Sequence, residues 1–141
     1  MKRIVVGIDG SEQGWSALER AAELARATGA SLQIAHVTPP ISPLAAEEYL
    51  PAASGWIEAQ ESYGRALLRE AVARVKDRNI EVEPVSRLGS PAETLADLAQ
   101  PAEVTMVVVG HRGRNLAARV LVGSVADRLV QISPKPVLVD R

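Results

Sequence analysis

Ile4-Val5-Val6 and Met106-Val107-Val108-Val109 are unbroken apolar runs, and each is closed by a glycine, Gly7 and Gly110. A strand with no polar alternation has no face to give to water, so such runs belong to parallel sheets covered by helices on both sides. Parallel neighbours in turn demand long crossover connections, usually helical. The intervening sequence meets that demand. From Ser11, a predicted N-cap, Trp15, Leu18, Ala22 and Ala25 fall on one helical face, and Gly29 supplies a stop.

Further along, Leu67, Leu68, Ala71, Val72 and Val75 recur at spacings of three and four, with Arg65, Arg69 and Glu70 on the other face, which predicts a long amphipathic helix. Ser90-Pro91-Ala92-Glu93 has the residues of a capping box and opens a third helix over Leu95, Leu98 and Ala99 that ends near Pro101. A fourth follows Gly123-Ser124, with Val125, Leu129 and Ile132 facing inward. Residues 31–37, 80–87 and 136–140 supply the remaining strands, and Pro84 sends the middle one of these to a sheet edge. Between Pro39 and Gly55 four prolines and no clear period predict an irregular connection with a helical turn around Leu44 to Tyr49; Trp15 reads as a helix-to-sheet anchor and Trp56 as the boundary of that loop. Five strands alternating with four helices give an α/β fold, a doubly wound five-stranded parallel sheet of order 3-2-1-4-5 with helices on both faces.

A chain of 141 residues is suited to one core, so residues 1–141 are expected to form a single domain. The 16 basic and 17 acidic side chains leave a formal charge of −1 and are interspersed, which argues against nucleic acid as a partner. With no cysteine, disulfides, thiol nucleophiles and cysteine metal sites are excluded. No apolar run approaches the roughly 20 residues that cross a bilayer. Asp9 and Glu12 interrupt the opening before it resembles a signal peptide, so a cytoplasmic protein without membrane partners is expected.

In an open parallel sheet the usual ligand site is the crevice where connections from adjacent strands leave to opposite faces, here strands one and four. The turns after those strands, Asp9-Gly10-Ser11 and Gly110-His111-Arg112-Gly113, are rich in glycine. Glycine there permits close approach to a ligand, and the amides near Gly123, Ser124 and Val125 at a helix start are donors suited to phosphate oxygens.

The spacing Gly110-x2-Gly113-x9-Gly123-Ser124, with the opening Val-Gly-Ile-Asp-Gly-Ser, resembles the universal stress protein family over nearly the whole chain. The resemblance implies an adenine-nucleotide pocket as in the ATP-binding branch of that family, with ATP, alone or with Mg2+, as ligand. By position, Asp9 matches the acidic residue beside the nucleoside, with Gly7 leaving room beneath it. Val37 matches the position whose main chain meets the adenine edge, and Val109 and Gly110 match the segment along the ribose. Gly113, Gly123, Ser124 and Val125 match those enclosing the phosphates. The implied role is stress-response regulation through ligand-dependent conformation. The resemblance also implies a homodimer through the C-terminal edge strand, whose apolar Pro136-Val137-Leu138-Val139 would otherwise leave an open edge.

Other readings of the same residues remain. Asp-Gly-Ser is a common turn, and Ser124 fits an N-cap with Asp127 three residues on. A slow ATPase or phosphotransferase is the enzyme alternative, and AMP or cyclic AMP the alternative ligands. Against the enzyme stand the lack of a Gly-x4-Gly-Lys-Ser/Thr loop and of any lysine between Lys76 and Lys135, and no catalytic residue is assigned. Gly7-x-x-Gly10-x-x-x-Gly14 departs from the dinucleotide fingerprint Gly-x-Gly-x-x-Gly. His36 reads as a structural strand histidine, and His111 as a pocket lining without the partners that metal binding or acid-base work would need. Arg112, Arg114 and Arg119 cluster near where phosphates would rest and could pair with them, or read equally as ordinary exposed loop arginines.

Overall fold

In the computed structural model, which describes residues 1–40, 50–111 and 123–141, the chain alternates strand and helix. The order is β1 (Arg3–Gly7), α1 (Glu12–Thr28), β2 (Ser31–Thr38), α2 (Leu50–Val75) with a 3-10 turn at Lys76–Arg78, and β3 (Val82–Leu88). Then come α3 (Pro91–Leu98), β4 (Val104–Gly110), α4 (Ser124–Ile132) and β5 (Val137–Asp140). The five strands form one parallel sheet in the order β3-β2-β1-β4-β5. This is the architecture the alternation of buried runs and amphipathic stretches predicts.

Successive side chains of a strand point to opposite faces, and the core divides accordingly. Ile4 and Val6 of β1 pack with α1 and α2 through Leu18, Ala22, Leu67 and Ala71. Val5, between them, packs on the other face with Leu95 and Ala96 of α3 and Ala126 and Leu129 of α4. Both faces of β1 are therefore dry, which is why its sequence shows no alternation. The sheet-facing side of α1 is Gly14, Ala17, Leu18, Ala21, Ala22 and Ala25, and all of these but Leu18 are small residues that let the helix axis approach the sheet closely. The Ser11 hydroxyl caps it, accepting from the Gly14 amide at 3.0 Å, and Gly29 ends it in the left-handed region at φ 72. Trp15 lies at the rim of that core, with the Arg74 guanidinium of α2 stacked 3.9 Å from its ring centre, so it ties α1 to α2 as well as to the sheet.

Pro84 lies in β3, which is an edge strand paired only with β2. Leu32 donates to the Glu81 carbonyl and Gly89 to the Thr38 carbonyl, so odd-numbered β3 residues face β2 and the Pro84 nitrogen faces outward, where no donor is needed.

Three local expectations are corrected. The stretch up to Gly55 is not irregular throughout, because α2 already runs from Leu50 and includes Pro51, Gly55 and Trp56. A proline in the first turn forfeits only an amide that would have no intrahelical partner, and one glycine is carried by the length of a 26-residue helix. The turn expected around Leu44 to Tyr49 lies outside the described residues. The capping box at α3 does not form. Ser90 is the N-cap but makes no side-chain cap bond, while Glu93 turns to Arg128 of α4, Nε to Oε1 at 3.1 Å. At α4 the cap is Gly123, with Ser124 as the first helical residue and the Asp127 amide donating to the Gly123 carbonyl at 2.9 Å.

Candidate functional site

The carboxyl ends of β1, β2 and β4 open onto a cleft of about 380 Å³. Its location follows from topology. The connection from β1 leads into α1 on one face, the chain reaches β4 from α3 on the other, and no described residue fills the gap where the paths diverge. From the β1 end the cleft is lined by Gly7 and Asp9, from β2 by Val37, from β4 by Val109 and Gly110, and from the start of α4 by Gly123, Ser124 and Val125. Eight of the nine positions singled out in the sequence thus meet around one cavity, although they come from four separate segments. Gly113, like Arg112, Arg114 and Arg119, lies outside the described residues.

The β1–α1 turn is built on Asp9. Its Oδ1 accepts from the Ser11 amide at 3.0 Å and the Ser11 hydroxyl at 2.5 Å, and Ser11 in turn accepts from Gly14. The turn reading and the pocket reading of Asp-Gly-Ser therefore hold together: one carboxylate oxygen organises the helix start while the residue lines the cleft. Gly10 takes φ 87 in this turn, a conformation that glycine adopts without strain.

Main-chain direction gives Val37 its place. Ile8 donates to the Ala35 carbonyl at 2.9 Å, so by the alternation of a parallel ladder the main chain of Val37 is turned the same way, toward the space beyond β1. Two glycines make room for protein as much as for a ligand. A Cβ on Gly7 would lie 2.8 Å from Leu95 Cδ1, and one on Gly110 would lie 2.8 Å from the Gln13 carbonyl group. At the far end the Gly123 amide donates to the His111 carbonyl, while the His111 amide donates to the Asp140 carbonyl at 2.9 Å. Gly123 N–H is thus engaged within the protein, and the donors of the helix start without an intrahelical partner are the amides of Ser124, Val125 and Ala126.

Sequence reasoning missed the wall opposite α4, where Gln60 and Tyr63 of α2 line the cleft. Tyr63 stands four and eight residues before Leu67 and Ala71, so extending the apolar period backward would have found it. The cleft wall is mostly apolar, and among the described residues no group of three or more His, Asp or Glu is placed to hold a metal ion. No described helix is long and apolar enough to cross a membrane.

The fold and cleft define an open, doubly wound α/β architecture with a cleft at the switch point, where such sheets usually take their ligands. Comparison with known proteins gives the family: the chain belongs to the universal stress protein family, whose model matches residues 1–141. It is 29% identical to Universal stress protein YxiE of Bacillus subtilis, over 99% of this chain and 98% of that protein. It is 35% identical to a universal stress protein of Mycolicibacterium smegmatis, over 98% of this chain but only 45% of that protein, so the chain spans about half the length of that relative. Among solved structures, universal stress protein UspA from Lactobacillus plantarum superimposes with a TM-score of 0.87 at 26% identity, covering 99% of this chain and 97% of that one. A universal stress protein solved in complex with cAMP gives a TM-score of 0.74 at 33% identity, over 99% of this chain and 97% of that one.

Proposed function

We propose that this chain is a nucleotide-binding stress-response protein whose cleft takes an adenine nucleotide, ATP foremost, and that it acts in the cytoplasm through ligand-dependent conformation rather than by turnover. The observation that carries this reading is the convergence of Asp9, Val37, Gly110 and the start of α4 on one cleft of about 380 Å³, a volume within the usual range for a small-molecule pocket. The base lies against the end of β2, where the Val37 main chain offers a donor and an acceptor to its edge. The nucleoside lies beside Asp9, and the phosphates point at the Ser124 and Val125 amides, where the helix dipole favours negative charge. Mg2+ carried in with ATP would be held chiefly by the phosphates, since the described part of the cleft offers Asp9 as its one carboxylate. The 33%-identical relative in complex with cAMP supports an adenine ligand.

We further propose a homodimer in which the β5 edges of two copies meet, which would remove the open edge left by Val137, Leu138 and Val139.

Calorimetric titration with ATP, AMP and cyclic AMP tests the assignment, with phosphate release followed in the same samples. ATP binding without release supports the reading, steady turnover favours an ATPase, and no heat with any of the three overturns it.

A further inference from the structure

Two glycines, Gly10 and Gly64, make room around one side chain. Gly10 lies under the Tyr63 hydroxyl so closely that any Cβ there would overlap it. Gly64 follows Tyr63 on α2, and a Cβ at that position would lie 2.7 Å from His36 Nδ1. Its absence lets α2 sit on the imidazole, which meets the Tyr63 ring edge-to-face at 6.0 Å between centres and 70° between planes. Held in this slot, Tyr63 donates its hydroxyl to the Asp9 carbonyl at 3.2 Å, across 54 residues of sequence. Its ring lines the cleft beside His36 and Gln60.

We infer that Tyr63 is a positioning residue for the nucleoside half of the ligand: its hydroxyl fixes the β1–α1 turn that presents Asp9, and its ring is the wall against which the base closes. The inference rests on the nucleotide reading above and deepens it, because it makes α2 part of the site. Two functions in one side chain separate on substitution. Tyr63→Phe removes the bond to Asp9 and keeps the wall, whereas Tyr63→Ala removes both. The phosphates, met at α4 on the other side of the cleft, are untouched by either change. The loss is therefore the same factor for adenosine as for ATP.

The test is titration of the parent chain, Tyr63→Phe and Tyr63→Ala with adenosine and with ATP, with hydrogen exchange of residues 8–14 measured in each ligand-free protein. Tyr63→Phe is expected to weaken both ligands about five-fold, the share of one hydrogen bond, and to speed exchange in the turn. Tyr63→Ala is expected to weaken both by tenfold or more. Equal loss for the two ligands places the effect on the nucleoside half they share, and titrating below the thermal unfolding range of every variant, where each is fully folded, separates it from general destabilisation. A parent that binds while both variants bind within two-fold of it overturns this inference alone, as does unchanged exchange in Tyr63→Phe. A parent that binds neither ligand overturns the nucleotide reading and this inference with it.

Discussion

The main chain of Gln13, in the first turn of α1, crosses the end of β4 so closely that a Cβ on Gly110 would lie 2.8 Å from the Gln13 carbonyl carbon and oxygen. Backbone cannot step aside as the end of a flexible side chain can. Gly110→Ala should therefore lift the start of α1, costing about 1–3 kcal/mol, and disturb the Asp9 turn beside it. Gly7→Ala is the milder change, since it meets the methyl end of Leu95. Urea unfolding of both variants checks the order.

Gly55 gives the opposite sign. It is an exposed residue inside α2 with nothing among the described residues within 4 Å of where a Cβ would stand. Gly55→Ala should stabilise the chain by about 0.5–1 kcal/mol through lost freedom of the unfolded state. Gly29→Ala, equally open in space but at φ 72, should destabilise by about 1 kcal/mol. Thermal unfolding of the pair separates conformational cost from contact.

Asp140 is a buried carboxylate at the end of β5, 8% exposed, accepting from the Ser16 hydroxyl at 2.5 Å and from Arg20 Nε at 3.3 Å. Removing the carboxylate leaves the exposed Ser16 hydroxyl and the Arg20 guanidinium to water and unties α1 from the last strand. Asp140→Ala is expected to cost about 1–3 kcal/mol, and Arg20→Ala, whose side chain is half exposed, less than 1 kcal/mol, measured by denaturant midpoint.

Glu93 of α3 pairs with Arg128 of α4, and the pairing shows in its titration. The hydrogen bond from Arg128 acts most strongly and its own main-chain amide second; together they hold its carboxyl below the ordinary value of 4.5. The pair therefore favours the folded state at any pH above that ordinary value, and the contribution fades as pH falls through the lowered folded value. NMR titration of the Glu93 carboxyl should give a midpoint under that of an unpaired glutamate, and Arg128→Ala should return it upward.

Much of this architecture is legible in the residues because its signals are local. The runs at Ile4 to Val6 and Met106 to Val109 announce dry strands, Ser11 and Gly29 bracket α1, and Pro84 marks an edge. The signals that misled are those in which a distant partner wins. Glu93 has the right spacing to serve Ser90, yet an arginine 35 positions away takes its carboxylate. Gly110 has the same appearance in sequence whether it makes room for a ribose or for Gln13. Tyr63 went unnoticed because Pro51 and Gly55 gave the start of its helix the composition of a loop, and a side chain assigned to no element cannot be assigned to a cleft.

The two borders of the sheet are unlike. On one, an imino acid turns its nitrogen to solvent, flanked by Glu83 and Arg87; on the other, Val137 to Val139 form an edge that no described strand covers. Self-association by strand addition is thus open on one flank and barred on the other. Two copies joined along the permissive flank would expose only barred ones, so growth halts at a closed pair instead of running on into a fibril.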